Sequence, residues 1–141
     1  MSKQIFWLLS WTWGIVMTLI GTCVFGILIL FGYKPYKNQY GYTIEIGKSA
    51  WGGLEIGPYC LVNKHPSQRT LNHEFGHALQ NCYFGPFMIF ISIASAIRYW
   101  WREYLIRIKK KTYQELPAYD DIWFEGTATY LGTHYKNTCK L

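Results

Sequence analysis

His73-Glu74-Phe75-Gly76-His77 is the pentapeptide around which the rest of this chain is organised. On a helix, residues four apart lie on the same face, so His73 and His77 can bind one metal ion while Glu74 projects beside them. A zinc ion bound by two histidines and one further protein ligand keeps a coordination position open for water, whose proton the neighbouring carboxylate can accept. The spacing therefore predicts a zinc site with two histidine ligands and Glu74 as general base.

The residues around the pentapeptide predict the helix that it needs. Ser67 is a suitable N-cap, and Gly85-Pro86 ends the segment. Apolar residues between these limits recur at roughly helical spacing. They are Leu71, Phe75, Ala78, Leu79 and Cys82. A surface helix that uses His and Glu only as polar residues is the structural alternative.

The composition indicates a membrane protein. The 141 residues are enough for one small domain. Half of them are hydrophobic, 19% are aromatic and 16% are charged, against roughly 25% charged residues in soluble domains. The net charge of +6 is concentrated in residues 98–111, which hold six basic residues and one Glu. Beside apolar sequence, such a patch predicts membrane lipids with anionic headgroups as partners, and no nucleic-acid motif accompanies it.

The amino-terminal stretch predicts a transmembrane anchor. Residues 4–33 carry no formal charge, and residues 5–31 are long enough to cross a bilayer as one tilted helix. A cleaved signal peptide is the alternative, but the apolar run is about twice the usual length and no A-x-A site follows it. We therefore predict an uncleaved anchor over residues 1–33 and one domain over residues 34–141.

Residues 34–66 predict a small antiparallel sheet before the metal-binding helix. An alternating run at residues 42–46, a glycine pair at 52–53, and residues 54–62 with a break at Gly57-Pro58 suggest short strands and turns. An edge strand here could pair with an extended peptide substrate through backbone hydrogen bonds. Strands that only cover the apolar face of the domain are the alternative.

A second apolar run, residues 83–97, is shorter than the roughly 20 residues that a spanning helix needs. If one metal ion takes His73 and His77 before this run and a ligand after it, both flanks lie on the same side of the membrane. The run therefore predicts a buried or membrane-dipping element, which residues 98–111 continue as a basic, aromatic helix on the surface. Residues 83–108 form the predicted membrane-associated segment.

The third ligand is expected on a last helix over about residues 121–135. Glu125 is the best candidate, because small residues that allow close helix packing follow it. Its neighbours Phe124 and Ala128 suggest a buried helix, where a carboxylate is costly without a partner. Asp121 could orient a ligating histidine or replace Glu125 as ligand. An exposed helix carboxylate is the alternative for Glu125.

Hydrolysis of a peptide builds negative charge on the attacked oxygen, which zinc and a Tyr or His donor can stabilise. Tyr119, Tyr130 and His134 lie in the right region of the sequence. Because the chain has twelve tyrosines, a packing role is the alternative for each of them. The sequence shows no Ser-His-Asp or Cys-His nucleophile pattern, no phosphate loop and no calcium loop.

The pentapeptide, together with Trp123-Phe124-Glu125-Gly126-Thr127-Ala128-Thr129, resembles the gluzincin arrangement of zinc metallopeptidases. More closely, residues 50–135 resemble a group of small, uncharacterised bacterial membrane proteins. The stretches that carry this second likeness are residues 72–83, 85–87, 95–100 and 123–132. The resemblance implies a zincin-like domain of class α+β in which His73, His77 and Glu125 bind Zn2+ and Glu74 is the catalytic base.

One departure from the gluzincin pattern matters. Gluzincins often carry an acidic residue four positions after the third ligand, where it orients a histidine, and this chain has Thr129 there. The orienting group must then come from elsewhere, with Asp121 as the candidate, or the site is weaker or inactive. Site-2 proteases are the neighbouring alternative, but the chain lacks their Leu-Asp-Gly motif.

We therefore expect a membrane-anchored zinc metallopeptidase acting on protein or peptide substrates. A non-catalytic membrane protein with a structural zinc site, and a lipid-binding adaptor using residues 98–111, are the alternatives. The positive-inside rule and the bacterial resemblance imply an inner membrane with the globular part on the cytoplasmic side. Reduced cysteines would agree with this location, and Cys60 with Cys82 is the candidate pair for a disulfide.

Overall fold

The computed structural model describes residues 1–47 and 52–138, and it confirms that the chain is of class α+β. In these residues there are five α-helices, a four-stranded sheet and three short 3-10 turns. The helices are α1 (Lys3–Trp11), α2 (Ile15–Leu30), α3 (Gln68–Phe84), α4 (Met88–Arg107) and α5 (Trp123–Thr138). The strands are β1 (Tyr36–Asn38), β2 (Gly41–Glu45), β3 (Gly53–Ile56) and β4 (Tyr59–Val62). The 3-10 turns are Gly85–Phe87, Tyr113–Glu115 and Tyr119–Asp121.

The sheet has the strand order β1-β2-β4-β3, which leaves β3 at one edge. The β1–β2 and β3–β4 pairs are antiparallel, but β2 and β4 are parallel, so the prediction of a purely antiparallel sheet is wrong. The predicted break at Gly57-Pro58 is the turn of the β3–β4 hairpin. Gly57 has φ +68° there, which residues with a side chain rarely adopt. The glycine pair at 52–53 adjoins residues 48–51, which lie outside the described residues.

The amino-terminal apolar stretch forms two helices that meet at an angle of 93°. The prediction of one unbroken transmembrane helix over residues 5–31 is therefore wrong. The cause is tertiary packing, because Phe6 of α1 is completely buried against Phe75 and Leu79 of α3. At the bend, Gly14 lies so close to the Asn81 side chain that a Cβ would overlap it. The two helices are long and apolar enough to cross a membrane only when counted together as one bent span.

The continuous helical stretch Gln68–Arg107, which joins α3 and α4, is long and apolar enough to cross a membrane as one helix. It includes the run at residues 83–97 that was predicted to be too short for this. The structure differs because α4 continues from that run to Arg107, through most of the predicted basic surface helix. Residues 109–111, the three lysines, follow the end of the helix.

Helix α4 buries Met88 at its start, but further along it exposes large apolar side chains and turns polar ones inward. Six apolar or aromatic residues at helical spacing are between 42% and 69% exposed. We call them the outer stripe of α4: Phe90, Ile93, Ile97, Trp100, Trp101 and Tyr104. On the inner face, Ser95, Arg98 and Arg102 make hydrogen bonds to the chain segment before α5 and to α5 itself. Exposed apolar patches of this kind mark surfaces that contact lipid or another protein.

Helices α3 and α5 make the most extensive helix contact among the described residues. A Cβ on Gly76 would overlap the carbonyl oxygen of Ala128, and a Cβ on Gly132 would overlap that of Asn72. The two backbones therefore touch directly. This close crossing places the first turns of α5 against the turn of α3 that carries the histidines.

Candidate metal centre

Helix α3 begins and ends where the sequence predicts. The hydroxyl of Ser67 accepts a hydrogen bond from the Thr70 amide at 3.1 Å, which satisfies an amide left free at the helix start. At the other end, Gly85 adopts φ +54° and closes the helix. His73 and His77 consequently lie one turn apart on the face that meets α5.

The structure brings together the three predicted ligands, His73, His77 and Glu125. Glu125 Oε2 lies 3.1 Å from His73 Nε2 and 3.2 Å from His77 Nε2, and the two nitrogens are 3.2 Å apart. A tetrahedral zinc ion with bonds of about 2.0–2.1 Å places its ligand atoms roughly 3.3–3.4 Å from one another. The three atoms therefore form nearly one face of such a tetrahedron.

Glu125 is completely buried and its two oxygens have different partners. Oε2 faces the histidines, and Oε1 accepts a hydrogen bond from Ser95 of α4. Burial raises the pKa of Glu125, but the hydrogen bonds to His73 and His77 outweigh it and lower the pKa below its ordinary value. Glu125 is thus an ionised carboxylate, and a cation in contact with it would neutralise its buried negative charge.

The outer nitrogen of each ring has its own partner. His73 Nδ1 lies 2.8 Å from Thr129 Oγ1, whose hydroxyl donates to Asp120 Oδ2 at 3.2 Å. Because Thr129 donates to Asp120, its oxygen is free to accept from His73 Nδ1. With Nδ1 as donor, the ring presents its Nε2 lone pair to the place that a metal would occupy. Thr129, the departure from the gluzincin pattern, thus links His73 to a carboxylate.

His77 is oriented from within α3 itself. Its Nδ1 lies 2.8 Å from Gln80 Oε1, and Gln80 Nε2 donates to the carbonyl oxygen of Phe124 at 2.7 Å. Gln80 is completely buried, so its amide is fixed by these two contacts. The same side chain therefore aligns a histidine on α3 and fixes the start of α5.

Three predicted supporting residues, Asp121, Tyr130 and His134, are exposed and do not line the cleft above the ligands. The prediction for Asp121 assumed that α5 includes it. However, α5 begins at Trp123, so Asp121 belongs to the preceding 3-10 turn and its neighbour Asp120 reaches Thr129 instead. Tyr130 and His134 lie on the outer face of α5. Of the predicted donors, Tyr119 does line the cleft.

Glu74 is buried and lines the same cleft as the three ligands. It lies beside β3, where a Cβ on Gly53 would overlap the Glu74 carboxylate. Its carboxylate, that of Glu55 and the Cys60 thiol are within 4.8 Å of one another. This buried group was not predicted, although Glu55 and Cys60 face each other across the β3–β4 pair.

Within residues 1–47 and 52–138, the group of Glu55, Cys60 and Glu74 is the second place where ligand atoms lie together. Burial and the Glu74 carboxylate raise the pKa of Glu55 well above its ordinary value. Burial and the two carboxylates likewise raise the pKa of Cys60. Metals bind the thiolate and the carboxylate, not their protonated forms, so a cation that bound there would have to displace these protons. Cys60 and Cys82 are both free thiols.

The cleft has a volume of about 530 Å³ and lies between β3 and α4. The three ligands and Glu74 form its floor. Gly53 and Leu54 of the edge strand line one wall, and α4 lines the other. Among the described residues no fourth His, Cys, Asp or Glu joins the ligand group, so the remaining coordination position would face this cleft.

Comparisons of the chain with protein-family models, with curated proteins and with solved structures find no match.

Proposed function

We propose that the protein is a membrane-anchored zinc metallopeptidase. The observation that carries the proposal is the convergence of His73 Nε2, His77 Nε2 and Glu125 Oε2, at 3.1 to 3.2 Å from one another, in the floor of an open cleft. Two imidazoles and one carboxylate with an open position are the ligand set of catalytic zinc sites. We also propose that the domain is zincin-like and that its metal site is of the gluzincin type.

When bound, zinc would supply a Lewis acid that makes a water molecule acidic and polarises a carbonyl group. Glu74, on the cleft floor beside the ligands, would accept the proton of the attacking water and deliver it to the leaving amine. The Tyr119 hydroxyl donates to Ser95 Oγ at 3.2 Å, and it would turn from that contact to donate a hydrogen bond to the developing oxyanion. Burial raises the pKa of Tyr119 to about 12, so its hydroxyl keeps its proton at neutral pH.

The position of β3 supports a peptide as substrate. The strand is at the sheet edge and its residues Gly53 and Leu54 line the cleft next to Glu74. An extended peptide could therefore add to this edge through backbone hydrogen bonds, which would bring one of its carbonyl groups over the ligands.

A structural zinc site is the main alternative, and the cleft argues against it. Structural sites are closed by four protein ligands, whereas three converge here among residues 1–47 and 52–138. A buried carboxylate such as Glu74 beside an open position is what proton transfer requires.

The lipid-binding adaptor is less well supported, because three of the six basic residues in 98–111 have partners within the chain. Arg98 donates to the carbonyl oxygen of Ala118 at 2.8 Å, and Arg102 donates to that of Pro117. Arg107 pairs with Glu103 at 2.8 Å. The lysines at 109–111 remain for anionic headgroups. The cytoplasmic side and the bacterial inner membrane stay predictions from charge distribution and resemblance.

Metal analysis combined with a cleavage assay tests the proposal. We expect one zinc ion per chain in the wild type and in Glu74→Gln, and loss of zinc in His77→Ala and Glu125→Ala. Asp121→Asn, a nearby exposed carboxylate, is the matched control and should keep its zinc. Cleavage of a peptide library, read by mass spectrometry, should vanish in Glu74→Gln. Zinc without any cleavage would favour the structural alternative, and a wild type without zinc would contradict both.

A further inference from the structure

The cleft combines a polar floor with apolar walls. Leu54, which is 45% exposed, stands on the β3 side. On the α4 side, the lining residues are Met88, Ile91, Ala96, Tyr99 and Trp100, with two serines among them. A peptide that lies across the floor would therefore place its side chains against apolar surface on both sides.

The α4 wall continues directly into the outer stripe. Ala96 and Trp100 line the cleft, and they also line a shallow outward groove that is otherwise made of Ile93, Ile97, Trp101 and Tyr104. Trp100 is 69% exposed. The rim of the cleft and the outward surface of α4 are thus one apolar surface.

The outward surface has the chemistry of a lipid contact. The opposite, inner face of α4 makes hydrogen bonds within the chain. Ser95 donates to Glu125, and Arg98 donates to the carbonyl oxygens of Ala118 and Tyr119. Tryptophan and tyrosine near the carboxyl end of α4, followed by the lysines at 109–111, match the headgroup zone of an anionic bilayer. The rim formed by Ala96 and Trp100 would then lie at the lipid boundary.

We propose that the cleft takes an extended apolar stretch of a membrane-inserted polypeptide, which reaches the metal centre across Ala96 and Trp100. The inference rests on the proposed function and names the substrate class of that site. Leu54 and Trp100 contact the side chains of the bound stretch on opposite walls. Soluble polar peptides lack the groups that these walls would bury.

The first arm of the test measures binding of two matched zinc-chelating probes, tri-leucine hydroxamate and tri-serine hydroxamate. The full chain is loaded with zinc and reconstituted in vesicles of equal parts phosphatidylcholine and phosphatidylglycerol. Because both probes carry the same hydroxamate group, the difference between their affinities measures the contribution of the leucine and serine side chains. We expect the leucine probe to bind at least about tenfold more tightly, since burial of leucine side chains is worth this much or more.

Trp100→Ser and Trp101→Ser form a matched pair, because the two tryptophans are neighbours on α4 and only Trp100 lines the cleft. The first change should remove most of the leucine preference, and the second should retain it. Zinc content is measured for both variants, which separates a change in the wall from a loss of the site.

The second arm identifies the side from which the substrate comes. The fluorescence of Trp100, obtained as the difference between the wild type and Trp100→Phe, is measured with brominated phosphatidylcholine and with aqueous iodide as quenchers. Contact with the bilayer predicts quenching by the brominated lipid and little by iodide. The opposite pattern would overturn the membrane source and indicate soluble apolar peptides.

The remaining outcomes are also decisive. Equal affinity for the two hydroxamates would overturn the apolar substrate class while leaving the zinc site intact. Failure of both probes to bind zinc-loaded protein would overturn the inference, because the cleft would then not admit a peptide. Failure to load zinc at all would instead contradict the proposed function, which is a distinguishable result.

Discussion

Helices α5 and α4 both contact the Glu125 carboxylate, but they are fixed in different ways. Glu125 belongs to α5, which packs on α3 backbone to backbone at Gly76 and Gly132. Helix α4 contacts the carboxylate through the Ser95 hydroxyl and exposes its apolar stripe on the other side. The ligands are therefore built into a closely packed helix pair. The cleft wall is instead held by a few hydrogen bonds and by the burial of Met88, at the start of α4, against Met17 and Ile56.

The largest effect should come from breaking the helix pair. Gly76→Ala places a methyl group on the carbonyl oxygen of Ala128, so the helices must separate and Glu125 must leave the histidines. We expect loss of stoichiometric zinc and a destabilisation of about 3 kcal/mol or more. Gly26→Ala in α2 is the control, because a Cβ there meets no atom within 4 Å. Retention of zinc in Gly76→Ala would show that the close crossing is not required.

Removal of the groups behind the histidines should weaken the site without abolishing it. Gln80→Ala frees His77 Nδ1 and the carbonyl oxygen of Phe124, so zinc affinity should fall about 10- to 100-fold. Competition with a chelator measures the change. Gln68→Ala, at an exposed glutamine on the same helix, is the control and should bind zinc as the wild type does. An unchanged affinity in Gln80→Ala would mean that His77 is oriented by other contacts.

The hydrogen bond from Ser95 of α4 to Glu125 should affect zinc affinity less than the contacts between α3 and α5 do. Ser95→Ala removes the hydrogen bond to Glu125 Oε1 but leaves Oε2 in place, so zinc affinity should fall about tenfold, at the lower end of such effects. Ser92→Ala, one turn earlier on α4 and also in the cleft, should have no effect on affinity. If Ser95→Ala weakens zinc as much as Gln80→Ala does, the two regions do not differ as described.

The smallest effect on the metal centre should come from Glu55, because its contribution concerns stability rather than the ligands. The raised pKa of Glu55 means that the folded chain keeps this proton at a pH where the unfolded chain has lost it. Stability should therefore fall as the pH rises above the ordinary carboxyl range. Glu55→Gln cannot ionise, so the margin of its thermal midpoint over that of the wild type should grow with pH. A constant margin would contradict the assignment.

The sequence predicts the parts of the site that depend on the spacing of nearby residues. The four-residue interval puts His73 and His77 on one face of any helix, and small residues after Glu125 predict a close helix contact. The supporting residues Gln80, Ser95 and Asp120 could not be identified in this way, because their roles depend on tertiary packing. Asp120 was missed by one position, since the start of α5 decides which carboxylate turns toward Thr129.

The amino-terminal region shows the same limit for the fold. Its uninterrupted hydrophobicity predicts a single spanning helix, and hydrophobicity alone gives no reason for a bend. The bend follows from burial of Phe6 against α3, a contact between residues far apart in the sequence. The parallel pairing of β2 with β4 is equally non-local, because it requires the β3–β4 hairpin to fold back beside β2.

X-ray absorption at the zinc edge of the purified, zinc-loaded protein tests the central claim most directly. We predict a first shell of light atoms at about 2.0–2.1 Å with the outer scattering of two imidazoles. Sulfur at about 2.3 Å would place the metal at Cys60 with Glu55 and Glu74, and would contradict the assignment of His73, His77 and Glu125 as ligands.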